Sequence, residues 1–195
     1  MPGSYGFLYR NSIFLLVGTN ERITDFQVTM DPVLSEMRKY TLIAGISNTF
    51  SSVLQMRHGY QARKAIELGR VLRKDEPIYR YSDYSIYHMM ELSLAGTELE
   101  NFCQPELITL MQYCKENGGE LLETLQAFLK CGRNKAQTAK ALDVHLNTVK
   151  YRLTQISHIT KLDLDIDDNA LKMMLSFKML EFREHFPVLE PLDLG

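Results

Sequence analysis

The 195-residue chain lacks any apolar stretch long enough to cross a bilayer. Its longest aliphatic-aromatic run is Ile13-Phe14-Leu15-Leu16-Val17, whereas a spanning helix needs about 20 such residues. Met1-Pro2-Gly3-Ser4 has neither the basic start nor the apolar core of a secretory signal. Cysteine is scarce: Cys103, Cys114 and Cys131 form no CxxC pair and leave an odd count. That excludes a disulfide framework and fits free thiols in a reducing cytoplasm. There is no internal repeat and no low-complexity stretch. What is present is ordinary for a globular chain of one or two domains, with 45% apolar and 24% charged residues.

The net charge of −2 conceals an uneven distribution. Residues 1–118 carry −1, residues 119–162 carry +4 and residues 163–195 carry −5. A basic block followed by an acidic tail is the electrostatic pattern expected of a nucleic-acid footprint.

The first half mixes two periodicities. Phe7 to Tyr9 and Ile13 to Val17 read as strands, and Asp31-Pro32 starts a helix to about Arg38. Tyr40 to Ile46 reads as a further strand. A long helix then starts at Ser47 to Ser52 and reaches about Leu72. Leu54, Ala62, Ala65, Ile66, Leu68 and Gly69 form its packed face, where Ala and Gly allow close approach. Pro77 to Tyr81 is expected as an edge strand, and Asp83 as the cap of a helix to about Leu94. Beyond Thr97 the pattern is helical throughout. Helices are expected at Pro105 to Lys115, then at about 120–131, 134–142, 146–158 and 168–185, with Asn117-Gly118-Gly119 as a break.

Residues 134–156 carry the chemistry. Asn134 is an N-cap with Gln137 three residues on, in the manner of a capping box. Ala136, Ala139 and Ala141 keep the following helix slim enough for a steep crossing. Asp143 tolerates the positive φ that the turn requires. Val149, Leu153 and Ile156 form the buried stripe of the second helix. This is a helix-turn-helix pattern. Its outward side offers His145, Asn147, Thr148, Lys150, Tyr151, Arg152 and Gln155. These side chains suit adenine, guanine, thymine-methyl and phosphate contacts. Lys135 and Gln137 join the candidate DNA contacts, with Lys130, Arg133 and Lys140 as flanking charge.

Leu121-Leu122-Glu123-Thr124-Leu125, Asn134 through Leu142 and Val144 through Leu153 resemble the C-terminal helix-turn-helix of the PucR/CdaR family of bacterial transcriptional regulators. The most specific part is the run His145-x-Asn147-Thr148-x-x-Tyr151-Arg152-Leu153. Leu162-Asp163-Leu164-Asp165 and a closing helix also fit. One position departs: the family usually has Arg where this chain has Leu146. Gly45-Ile46-Ser47, Tyr60 to Ala65 and Leu68-Gly69 resemble the degenerate GGDEF-like module preceding that domain in the same family. The resemblance implies an α+β chain: a GGDEF-like α/β module at 1–96, incomplete on its N-terminal side, a helical connector at 97–118, and an all-α DNA-binding domain at 119–195. It further implies double-stranded DNA and a second copy of the chain as partners. A small-molecule effector is expected to act through a sensory region ahead of Met1. Arg10 to Phe14 stands where active diguanylate cyclases carry a Gly-rich hairpin and a metal carboxylate. It has neither glycine nor acid, so no cyclase activity is expected.

No catalytic residue, cofactor site or metal site is expected elsewhere. Gly118-Gly119-Glu120-Leu121 leads into a helical run, so it reads as a helix break rather than a nucleotide hairpin. Asp163-x-Asp165-x-Asp167-Asp168 lacks the sixth-position Gly and twelfth-position Glu of a calcium loop, so Asp167 or Asp168 is expected to cap the last helix. The competing reading is a nucleotide- or metabolite-binding module joined to a helical protein-interaction bundle. RNA binding is disfavoured by the lack of an aromatic stacking platform.

Overall fold

A strand pair opens the chain because alternating apolar and aromatic residues lie on both sides of a polar dipeptide. In a computed structural model, residues 4–9, 12–18, 33, 35–37, 39–52, 58–93 and 99–186 are described. Strand β1, Ser4–Tyr9, pairs antiparallel with β2, Ser12–Val17, in a register that sets Phe7 opposite Phe14. Their rings stack at 5.3 Å between centroids. The strand at Phe7 to Tyr9 therefore begins three residues earlier than expected.

The expected start of the next helix, Asp31-Pro32, lies outside the described residues, as does Arg38; Val33, Ser35 to Met37 and Lys39 are helical. The strand expected from Tyr40 shrinks to β3, Ala44–Ile46. Thr41 sits at φ 54°, and the amides of Tyr40 and Leu42 both donate to the carbonyl of Met37. A chain turning back there cannot join a ladder until it straightens at Ala44.

Helix α1, Gly59–Leu72, starts later than the serines suggested: Ser47 to Ser52 are non-helical, and the expected packing residue Leu54 lies outside the described residues. Strand β4, Ile78–Arg80, pairs parallel with β3, so β3, α1 and β4 form a βαβ unit. Glycine makes this packing possible. A Cβ at Gly69 would lie 2.0 Å from the Tyr79 ring, and one at Gly45 would lie 1.8 Å from the Ala62 carbonyl oxygen. Tyr79 is fully buried and donates its hydroxyl to the Arg73 carbonyl at 3.0 Å. Helix α2, Tyr81–Ser93, follows β4 without a loop. Asp83 therefore occupies its first turn instead of capping it.

The chain divides into two units, residues 1–84 and 85–195, and the division falls within α2. In the second unit a 3-10 turn, Leu99–Phe102, precedes α3, Pro105–Asn117, with Pro105 at the first helical position. Gly118 and Gly119 end α3 at φ 67° and 114°. Helices α4, Leu121–Lys130, α5, Lys135–Ala141, α6, Leu146–Thr160, and α7, Asp167–His185, follow close to the expected bounds. One core joins them: Leu107 and Leu110 of α3, Leu125 and Phe128 of α4, Val149 and Ile156 of α6, and Met173 of α7. Within the second unit, Tyr87 in the middle of α2 stacks on Phe182 of α7 and donates its hydroxyl to Glu181 at 2.5 Å. The cap of α7 is a correction: Ile166 occupies it, without a side-chain bond. Asp167 and Asp168 lie in the first turn, where their charge opposes the helix dipole. Among the described residues the chain is thus mostly helical, with two small sheets in its first unit and helices without strands in its second. Among the described residues no helix is long and apolar enough to cross a membrane.

Candidate nucleic-acid interface

Two successive turns built from backbone hydrogen bonds set the angle between α4, α5 and α6. At the first, Gly132 adopts φ 60°, its amide donates to Leu129 at 3.1 Å, and the Arg133 amide donates to Phe128 at 2.8 Å. At the second, Asp143 adopts φ 52°, its amide donates to Lys140 at 3.4 Å, and the Val144 amide donates to Ala139 at 3.0 Å. Both are Schellman arrangements, which satisfy the last carbonyls of a helix while reversing the chain. Asp143 does what its position suggested. Replacing it with Val, whose branched side chain resists positive φ, is expected to cost about 1–2 kcal/mol in urea unfolding. Asp143→Gly is expected to stay within about 1 kcal/mol of the parent, because relieved strain is offset by lost chain stiffness.

Helix α5 begins as the sequence suggested, but only half of the capping box forms. The Asn134 side-chain oxygen accepts from the amides of Ala136 and Gln137, each at 3.0 Å. The Asn134 amide already donates to the Cys131 carbonyl at 3.2 Å, so it has no need of Gln137. The Gln137 side chain is exposed, as are Lys135, Lys140 and Lys130. Arg133 is drawn elsewhere. It donates to the carbonyls of Leu164, at 3.2 Å, and Asp165, at 2.9 Å, and pairs with the Asp167 carboxylate. It thereby ties the start of α7 to the turn before α5.

Helix α6 is capped by His145, which the sequence suggested only as an outward side chain. Its Nδ1 accepts from the Asn147 amide at 3.2 Å. An accepting Nδ1 places the ring proton of a neutral imidazole on Nε2, where it can donate outward. Leu146 is half-buried and packs against the core. The departure from the family's Arg at this position thus supplies an apolar contact. Val149, Leu153 and Ile156 are buried as expected, with Thr160 continuing the stripe.

The opposite side of α6 exposes Asn147, Lys150, Tyr151 and Thr154. Residues three and four apart share a helix face, so these four form one polar edge. Thr154 was not among the sequence candidates; its spacing of four from Lys150 could have found it. Thr148 and Gln155 are half-buried beside this edge. The Gln155 amide donates to the Tyr151 hydroxyl at 3.2 Å, leaving that hydroxyl's own proton to donate elsewhere. Arg152 requires a correction. Its side chain is 18% exposed and turns toward α4, where it pairs with Glu120 and donates to Thr124. Lys135, Gln137, His145, Asn147, Lys150 and Tyr151 are therefore the candidates left as exposed donors and acceptors around the turn and α6, whereas Arg152 lies off that edge.

Residues 121–179 match the PucR C-terminal helix-turn-helix domain. The chain is 30% identical over 139 residues to the proline-responsive transcriptional activator PutR of Bacillus subtilis, covering 70% of this chain and 34% of that protein. It is 26% identical over 163 residues to the carbohydrate diacid regulator of Escherichia coli, covering 82% and 42%. It is 24% identical over 180 residues to the purine catabolism regulatory protein of Bacillus subtilis, covering 92% and 34%. The match thus spans between about a third and two fifths of the length of these curated relatives. No solved structure matches it significantly.

Proposed function

This chain belongs to the PucR family through the helix-turn-helix domain at residues 121–179, and from that premise we propose that it is a sequence-specific DNA-binding transcriptional regulator acting without catalysis in the cytoplasm. Helix α6 enters the major groove, about 12 Å wide, whose base edges distinguish all four pairs. Asn147, Lys150 and Tyr151 approach the bases, and Thr148 and Gln155 support them. Lys135, Gln137, Lys130, Lys140 and the outward Nε2 of His145 meet the flanking phosphates. One such helix reads only a few base pairs, so useful specificity calls for two copies on half-sites about 34–36 Å apart. The α+β unit serves as a GGDEF-like relay or dimerisation module within the 1–96 division. A small-molecule effector acts through regions of the whole protein outside this chain.

The observation that carries the reading is the exposure of Asn147, Lys150 and Tyr151 on one edge of α6, directly opposite its buried stripe of Val149, Leu153 and Ile156. A helix with one fixed apolar side and one accessible hydrogen-bonding edge can be inserted into a groove without unfolding its own core. Fluorescence anisotropy with a labelled random duplex across a salt series tests it. Binding is expected to weaken steeply with salt. Lys135→Ala with Lys140→Ala is expected to flatten the logarithmic slope by about 1.8, at about 0.9 per lost phosphate contact. Salt-insensitive or absent binding, also with dimerisation enforced by an appended coiled coil, would favour a protein-interaction bundle.

A further inference from the structure

The arginine that the motif offers to DNA is engaged on the other side of its helix. Arg152 lies in the middle of α6, and its guanidinium reaches the first turn of α4. One nitrogen, Nη2, pairs with the Glu120 carboxylate, and the other, Nη1, donates to the Thr124 hydroxyl at 3.3 Å. Thr124 is fully buried, and its hydroxyl proton is committed to the Glu120 main-chain carbonyl at 2.7 Å. The hydroxyl can therefore only accept from a further partner, and Arg152 supplies the donor. The two guanidinium nitrogens thus meet two acceptors set one turn apart on α4, a planar fork that a lysine ammonium cannot reproduce.

We propose that Arg152 is a positioning residue: with Glu120 and Thr124 it forms a strut that sets the angle of the recognition helix on α4, and it does not contact DNA. The inference rests on the DNA-binding reading for its consequence but on the α4–α6 geometry for its substance. Two predictions separate a strut from a phosphate contact. A strut residue contributes no counterion release, so Arg152→Ala should weaken binding to every duplex about tenfold while leaving the salt slope unchanged. A phosphate contact would flatten the slope by about 0.9. The second prediction turns on a sign. Glu120→Gln breaks the strut and should bind more weakly than Glu123→Gln, which removes the same charge from an exposed position on the same helix. Were Arg152 a phosphate ligand restrained by Glu120, Glu120→Gln would release it and bind more tightly than Glu123→Gln.

The experiment measures anisotropy slopes for the parent and these three variants, beside thermal unfolding of Arg152→Ala, Glu120→Gln and their combination. Each single change should lower the melting temperature by about 5 °C, and the pair by no more than either alone. Arg152→Lys should recover less than half of the loss, since it cannot serve both acceptors. An unchanged slope with non-additive melting establishes the strut. A flattened slope, or additive melting shifts, overturns it. If the parent binds no duplex at any salt, the DNA reading fails, while the melting cycle still decides whether the strut exists.

Discussion

Replacing Gly45 with Ala is expected to unfold the N-terminal unit while leaving the helix-turn-helix unit folded. The added methyl would stand 1.8 Å from the Ala62 carbonyl oxygen and 2.6 Å from its carbon. Both atoms belong to the backbone of α1, so no rotamer change relieves the overlap. Either β3 or α1 must shift, and β3 is held by a parallel ladder of three residue pairs from Ala44 to Ile46. Over-packing commonly costs about 1–3 kcal/mol and more where backbone must move. Among the described residues the buried core of this unit comprises a few apolar side chains, Ala65, Leu68, Tyr79 and Tyr84, which leaves it a small reserve. Limited proteolysis should cut Gly45→Ala ahead of α2, while a fragment containing α3 to α7 persists. Equal protease resistance of variant and parent would show that α1 can yield at Ala62.

The second large effect is expected at Ile156. It is fully buried in α6, in the core shared with α3, α4 and α7. Ile156→Ala removes three carbons from a site lined by several helices that cannot all close in, and such truncations cost about 2–5 kcal/mol. The urea midpoint should fall accordingly with an unchanged slope of free energy against denaturant. DNA binding should fall for all sequences in proportion to the unfolded fraction. Lys150→Ala provides the contrast. Lys150 is exposed, so its removal should leave the urea midpoint unchanged while weakening DNA binding. A variant pair in which both properties moved together would contradict the separation of buried stripe and polar edge on α6.

Features fixed by neighbours in sequence were the ones legible in advance. Pro105 at the start of α3, the Gly118-Gly119 break, Asn134 as a cap and Asp143 at positive φ all act within one turn of chain. The stripe of Val149, Leu153 and Ile156 follows from helical period alone. What escaped depended on distant partners or on competing local choices. Tyr40 to Ile43 has strand composition, but the left-handed Thr41 turns it back on Met37. Asp83, Asp167 and Asp168 are good capping residues, yet β4 runs directly into α2 and Ile166 takes the cap of α7. His145 looked like a surface donor because ring nitrogens are uncommon caps. Arg152 turns to Glu120, 32 residues upstream, a pairing that no spacing rule reveals. The GGDEF-like reading of the first half rests on resemblance alone.

The paired Schellman turns at Gly132 and Asp143 also bear on how quickly each unit assembles. Their closing hydrogen bonds span five residues at most, from Phe128 to Arg133 and from Ala139 to Val144. Loops this short close in about 100 ns or less, so both corners of the helix-turn-helix can form early from local encounters. The β3–β4 ladder instead joins Ala44 to Ile78 across the whole of α1, and such distant pairing delays the ordering of a chain. On a ribosome the slower unit emerges first and gains time while the faster one is still being made. The order of the two units along the polypeptide thus suits these expected rates, with the slower parallel pairing given a head start over the rapidly closing helix-turn-helix corners.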